Sequence, residues 1–147
     1  MVSDKIVSRY AGKLPESANS DRGIPHGPLY PVAEVLGLLE NSVNPNIQVW
    51  TRKCAADVQK LALDADDLVD LLKEAVLGNH FIGSEWCRQN PNGPWAACDA
   101  YALSRQEWVA VAHKEIRMEY YLKFSVGKTG KILLLASCHL SEERRSQ

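Results

Sequence analysis

The feature that most constrains the fold lies near the end of the 147-residue chain, where two alternating stretches flank a glycine-containing turn at 127–130. The stretches, 120–126 and 131–139, are predicted to pair as an antiparallel β-hairpin, because such turns between alternating runs are typical of hairpins. Alternation places Leu122, Phe124 and Val126 on one face of the first strand and Tyr121, Lys123 and Ser125 on the other. The first face is therefore predicted to be core.

The second face of this hairpin is a candidate functional surface. Ser137 and His139 share a face of the second strand, so a hydroxyl, an amine and an imidazole are expected on one side of the hairpin. Groups of these kinds transfer protons and bind phosphates. The pattern therefore predicts a chemically active face opposite a buried one.

Composition favours one ordinary domain. With 46% hydrophobic residues the chain can form a single core, and its net charge of −1 gives no global positive field for nucleic acid. The longest apolar run, 132–136, is too short to cross a membrane, and the first residues lack the apolar core of a secretory signal. We therefore expect a cytoplasmic protein without membrane association.

The chain is predicted to have three parts: a flexible arm at 1–27, a single domain at 28–140 and a charged tail at 141–147. Apolar spacing predicts a helix at 31–42 and a second at 52–61 that is capped by Thr51. A third helix is predicted to begin after Asp64 or Asp66 and to end near Leu77, before a Gly-Asn stop signal. The first half of the domain is thus expected to be mainly helical.

The second half of the domain is predicted to be mainly strand. Alternating or β-prone runs at 80–87 and 95–103 precede the closing hairpin, and a short strand is expected at 47–50. Ser104 and Glu107 match a capping box, which predicts a short inserted helix ending near residue 113. This order predicts an α+β fold in which N-terminal helices pack on a small antiparallel sheet.

The four cysteines are scattered, and no two of them form a CxxC pair. We expect free thiols that pack as small apolar residues, with no metal and no cofactor. A zinc site built from Cys87, Cys98, Cys138 and His139 is the alternative, although their spacing does not call for it.

Several short stretches, taken in order, resemble one known family. They are 25–32 before the first helix; Thr51, Arg52, Ala55 and Asp57 in the second; Leu63 and Asp64 after it; His80, Phe81 and Ser84; Trp95, Asp99 and Tyr101; and 121–123 with 134–137 in the hairpin. Over about 25–139 the chain resembles the MqsR toxins, which belong to the RelE-like ribonucleases of bacterial toxin–antitoxin systems.

The resemblance implies a RelE-like fold and a metal-independent endoribonuclease that cuts single-stranded mRNA and is held by a cognate antitoxin protein. Such chemistry needs a base, an acid and cations that hold the phosphate. Tyr121 and Lys123 match family positions, and His139 stands where a lysine is expected, so these three are the candidate catalytic residues. Four others are candidate RNA-binding residues: Arg88, Ser137, Tyr101 and Asp99.

The chain departs from the family pattern at two positions. Gly83 stands where the family has a lysine, and Cys98 where it has a glutamine. Arg88 or Lys123 would have to supply the missing cation. The alternative function is therefore a catalytically degenerate RelE-like protein that binds and regulates a protein partner instead of cutting RNA.

Overall fold

The computed structural model describes residues 4–16, 20–40 and 46–141, which form six strands and three helices. In chain order these are β1 (Gly23–Ile24), α1 (Val32–Leu39), β2 (Ile47–Val49), α2 (Arg52–Lys60), α3 (Ala65–Leu77), β3 (Phe81–Arg88), β4 (Trp95–Val109), β5 (Lys114–Val126) and β6 (Leu133–Leu140).

All six strands belong to one mixed sheet in the order β1-β3-β4-β5-β6-β2. Neighbouring strands are antiparallel except β2, which pairs parallel to β6. The predicted RelE-like arrangement, with N-terminal helices on a small antiparallel sheet, is therefore wrong. The sheet is the larger layer. Its edge strand β2, which lies between α1 and α2 in the chain, pairs parallel to β6.

The inserted helix predicted after Ser104 is also wrong, because β4 continues through this segment and pairs with the beginning of β5. Side chains from 104 to 109 alternate between exposed and half-buried, which is the period of a strand. Glu107, read as the third residue of a capping box, instead accepts a hydrogen bond of 2.7 Å from the Tyr120 hydroxyl. Cross-strand pairing thus overrides the local helix signal.

The three predicted N-terminal helices are confirmed, although α1 ends at Leu39 and positions 41–42 of its predicted range lie outside the described residues. The caps of α2 and α3 follow from local chemistry. Thr51 Oγ1 accepts from the Cys54 backbone N–H at 3.0 Å, so the hydroxyl satisfies a donor that the helix leaves open. Asp64 and Asp67 form a reciprocal capping box, with each carboxylate accepting from the other's backbone N–H at 2.8 and 2.9 Å. No helix in the described ranges is long and apolar enough to cross a lipid bilayer.

The sheet has one face packed on the helices and one face turned away from them. We call the face with Leu122 and Phe124 the inner face; both side chains are fully buried, and they pack in the same core as the helices. The face with Tyr121, Lys123 and His139 is the outer face. The division predicted for the closing hairpin is confirmed for these side chains, whereas Ser125, predicted on the outer face, is fully buried with its hydroxyl 3.0 Å from that of Tyr30.

The N-terminal segment adds backbone hydrogen bonds where β4 and β5 separate. Val7 N–H donates to the Trp95 carbonyl at 2.8 Å, and Arg9 N–H donates to the Val126 carbonyl at 2.8 Å. Residues 5–9 of the predicted arm thus bridge β4 and β5, whereas its later part forms β1 at the edge of the sheet beside β3. Of the predicted charged tail, only Ser141 is within the described residues.

A buried carboxylate joins the segment before α1 to the sheet. Asp99 is fully buried on β4 and accepts from the backbone N–H groups of Leu29, at 2.9 Å, and Tyr30, at 3.1 Å. The Ser84 hydroxyl donates to the same carboxylate at 2.7 Å. Burial raises the pKa of Asp99, and these three donors partly offset the effect.

We expect Asp99→Ala to lower the free energy of unfolding by about 3 kcal/mol, because three buried donors lose their acceptor. Urea denaturation followed by circular dichroism measures this change. Asp70→Ala is the control: Asp70 is exposed on α3, and its replacement should change stability by less than about 0.5 kcal/mol. Equal losses for the two variants would contradict the anchoring role.

Candidate functional site

Three candidate catalytic residues and one candidate RNA-binding residue lie together on the outer face. In the β5–β6 register Tyr121 is opposite His139, and Lys123 is opposite Ser137. The Tyr121 and His139 rings have centroids 5.2 Å apart and are tilted by 30°. All four side chains are half-buried, so they are fixed by neighbours yet remain accessible from one side.

The orientation of His139 determines which nitrogen can act as a base. Its Nδ1 lies 3.0 Å from the Leu140 carbonyl oxygen. A carbonyl oxygen can only accept, so Nδ1 has the hydrogen in the neutral ring and Nε2 keeps its lone pair. Nε2 is thus the atom suited to accept a proton.

Lys123 is held by an acidic partner that the sequence did not single out. Its ammonium lies 2.5 Å from a Glu85 carboxylate oxygen and 5.8 Å from the centre of the Tyr121 ring. Burial by itself lowers the pKa of Lys123, but the negative partners Cys87 and Glu85 outweigh it, and the pKa lies above its ordinary value. The ammonium is therefore charged at neutral pH and already paired.

A shallow cleft of about 180 Å³ lies beside this pair. Gly83 and Ala100 face each other across β3 and β4, and the cleft is also bounded by Ile82, Glu85 and Tyr121. A Cβ added at Gly83 would have nothing within 4 Å. The space in which the resemblance expects a lysine side chain is therefore open.

Arg88 lies apart from the four-residue group, in a larger groove of about 770 Å³. Its guanidinium stacks 4.6 Å above the Trp95 ring, and its Nε donates to the Gly93 carbonyl at 3.1 Å. Two further cations, Arg52 and Lys53, line the same groove. Neither residue was predicted from the sequence to belong to a site. Both directly follow the Thr51 cap, and exposed cations at the start of a helix are the signal that could have identified them.

The groove and the four-residue group are linked through one strand. The Thr51 hydroxyl donates to the Ala136 carbonyl at 2.9 Å, and Ala136 precedes Ser137 on β6. The start of α2 is thus attached beside the Lys123–Ser137 pair. Cations of the groove and groups of the outer face therefore adjoin along the sheet.

Tyr101 and Asp99 do not belong to this surface. Tyr101 is 2% exposed on the inner face, where its ring stacks on Phe124 with centroids 5.6 Å apart. Burial raises the pKa of Tyr101 to about 12. Asp99 binds backbone donors as described above, so both residues support the fold and neither is accessible to RNA.

The cysteines are divided between the two faces. Cys87 and Cys98 lie together on the outer face beneath Trp50, whereas Cys138 lies on the inner face. Among residues 4–16, 20–40 and 46–141, no three His, Cys, Asp or Glu side chains are placed to hold a metal ion. The set proposed for a zinc site is not brought together.

Comparison of the chain with protein families, with curated proteins and with solved structures finds no match. The resemblance to the MqsR toxins therefore stays a prediction.

The Lys123–Glu85 pair should contribute modestly to stability. A double-mutant cycle with Lys123→Met and Glu85→Gln is expected to give a coupling energy of about 1 kcal/mol, because the Glu85 side chain is 39% exposed. The raised pKa of Lys123 means that this contribution is present below the ordinary lysine pKa and is lost as pH rises through the folded value. Zero coupling at pH 7 would contradict the pairing.

Cys87 should be the most reactive thiol in the folded protein. The neighbouring Cys98 thiol and the Lys123 ammonium lower the pKa of Cys87 against the effect of burial, and Cys87 is 8% exposed whereas the other three thiols are at most 1% exposed. Burial raises the pKa of Cys54 and Cys138 to about 12. Iodoacetamide labelling followed by mass spectrometry should therefore modify Cys87 first.

The Lys123→Met variant tests whether the Lys123 charge causes the reactivity of Cys87. It should slow Cys87 labelling, because the thiolate loses a neighbouring positive charge. Labelling of Cys54 or Cys138 before Cys87 in the native protein would show that the charge arrangement does not control reactivity.

Proposed function

We propose that this protein is a toxin-like, metal-independent endoribonuclease of the MqsR kind, which cuts single-stranded mRNA in the cytoplasm and is held by a cognate antitoxin protein. The observation that supports this most is the outer-face group in which Tyr121 and His139 meet 5.2 Å apart, beside the Lys123 ammonium. A proton acceptor, a proton donor and a cation on one accessible face suit RNA cleavage by the ribose 2′-hydroxyl.

In the proposed reaction, His139 Nε2 takes the proton from a 2′-hydroxyl, and the resulting oxygen attacks the adjacent phosphorus. The bond from phosphorus to the 5′-oxygen breaks, and the Tyr121 hydroxyl protonates the departing oxygen. Lys123 stabilises the charge that develops on the phosphate. The products are a 2′,3′-cyclic phosphate and a free 5′-hydroxyl.

The basic groove supports an RNA path beyond the scissile bond. Arg52, Lys53 and Arg88 line it, although the whole chain has a net charge of −1. Local cations of this kind bind the phosphate backbone, which dominates nucleic-acid affinity. The cleft between Gly83 and Tyr121 is bounded by an aromatic ring, on which an unstacked base could lie.

One observation favours the second candidate function, a binding protein without catalysis. Glu85 neutralises the Lys123 ammonium at 2.5 Å, so a phosphate must compete with an internal carboxylate. Among the described residues, no atom lies within 4 Å of the position that a Gly83 Cβ would take, so no cation replaces the family's lysine at that point. On this alternative the outer face grips a protein partner and leaves RNA intact.

The test is cleavage of a defined single-stranded RNA by the purified protein in excess chelator. We expect cyclic-phosphate ends, and we expect His139→Asn to reduce the rate by about 100-fold or more, because the proton acceptor is lost. His113→Asn, in the exposed turn between β4 and β5, is the matched control and should cut normally.

Two outcomes would overturn the nuclease. Intact RNA at high enzyme excess, or normal cutting by a folded His139→Asn variant, excludes the assigned chemistry. Growth and bulk mRNA that stay unchanged on induced expression, together with a stoichiometric protein partner on pull-down, would support the binding protein instead.

A further inference from the structure

The ends of β4 and β5 form a two-stranded ribbon that extends past their neighbours. β3 pairs with β4 only as far as Tyr101, and β6 pairs with β5 only as far as Tyr120. From 104 to 119 the two strands pair with each other alone within the described part of the chain. Both outer edges of this ribbon therefore present backbone donors and acceptors that no described strand satisfies.

The two edges differ in whether their charged side chains form ion pairs or hydrogen bonds with other described residues. On the β4 edge, Arg105 Nε lies 3.1 Å from a Glu74 oxygen on α3, and Glu107 accepts from Tyr120. On the β5 edge, Glu115, Arg117 and Glu119 are exposed and form no ion pair with any described residue. The β5 edge, residues 114–119, is thus the one with charges left for a partner.

The charges of the β5 edge are complementary to themselves. We propose that this edge pairs antiparallel with the same edge of a second copy of the chain, about a two-fold axis at Ile116. Glu115 of each copy then lies opposite Arg117 of the other, Ile116 lies opposite Ile116, and His113 lies opposite Glu119. Opposite charges that face each other directly across two paired strands stabilise the pairing. The two-fold symmetric dimer that results is the commonest kind of protein oligomer.

The neighbouring registers are repulsive. A two-fold axis keeps each side chain on its own face, so the register can shift only in steps that preserve alternation. An axis at Arg117 places Arg117 opposite itself and Glu115 opposite Glu119. An axis at Glu115 places Glu115 opposite itself and Arg117 opposite His113. Among these registers only the one centred on Ile116 pairs opposite charges.

Two of the features that block such pairing are absent from this edge, and a third, its charged side chains, is matched by opposite charges in the register centred on Ile116. Between 114 and 119 there is no proline, and pairing with β4 runs without a bulge, whereas proteins commonly protect edges by those means. The contact is limited to one short strand per copy, well below the roughly 1,200 Å² of a standard interface. We therefore expect a dimer that dissociates on dilution.

This inference goes beyond the proposed ribonuclease and does not depend on it. The test is sedimentation equilibrium of the full chain across a range of concentrations. The mass should rise from the 16.4 kDa monomer toward twice that value. Glu115→Arg and Arg117→Glu should each weaken the dimer by roughly tenfold or more, because two pairs of like charges then face each other.

Two combinations make the register specific. The double variant Glu115→Arg with Arg117→Glu should dimerise again, since its charges are exchanged but complementary. An equal mixture of the two single variants should form the mixed dimer for the same reason. Lys128→Glu, in the exposed turn after β5, changes net charge as Arg117→Glu does and should leave the dimer unchanged.

Several results would overturn the proposal. A wild-type chain that stays at 16.4 kDa at all concentrations has no such dimer. Single variants that dimerise normally, or a double variant that does not recover, exclude this register. A chain ending at Ser141 should still dimerise, and loss of the dimer in this variant would assign the contact to residues 142–147 instead of the β5 edge.

Discussion

Pairing between β4 and β5 is the constraint on which the rest of the structure depends. It runs from Asp99 opposite Phe124 to Val109 opposite Lys114 and fixes the faces of both strands. A slip of one residue would move the core side chains of β5 to the outer face and bury Tyr121 and Lys123. Burial of the core side chains therefore fixes this register. The register in turn places the polar groups of the candidate site on the outer face.

The Glu85–Lys123 contact determines how the outer face can work. A paired ammonium is well positioned, but its charge reaches a bound phosphate only in competition with a carboxylate 2.5 Å away. The same contact holds the ammonium near the Tyr121 ring and Cys87, so position and charge are coupled in one group.

Features that depend on neighbouring residues could be predicted from the sequence, whereas contacts between residues distant in sequence could not. The Thr51 and Asp64 caps follow from residues within one turn, and the faces of the closing hairpin follow from alternation. The capping-box motif at Ser104 gave a wrong prediction because pairing of this segment with residues 114–119 of β5 outweighs it. Glu85 and Arg52 were missed for the same reason. Glu85 contacts Lys123 across neighbouring strands, and Arg52 lines the groove from the start of α2, so residues adjacent in sequence do not indicate either position.

The placement of the N-terminal segment has a consequence for synthesis of the chain. Val7 and Arg9 form backbone hydrogen bonds with Lys128 and Val126, which come much later in the chain. Contacts between such distant residues slow folding, because a long loop must close before they form. The sheet cannot be completed until most of the chain has left the ribosome, so no outer-face site exists on a nascent chain. Completion of the sheet therefore waits for both segments to be present.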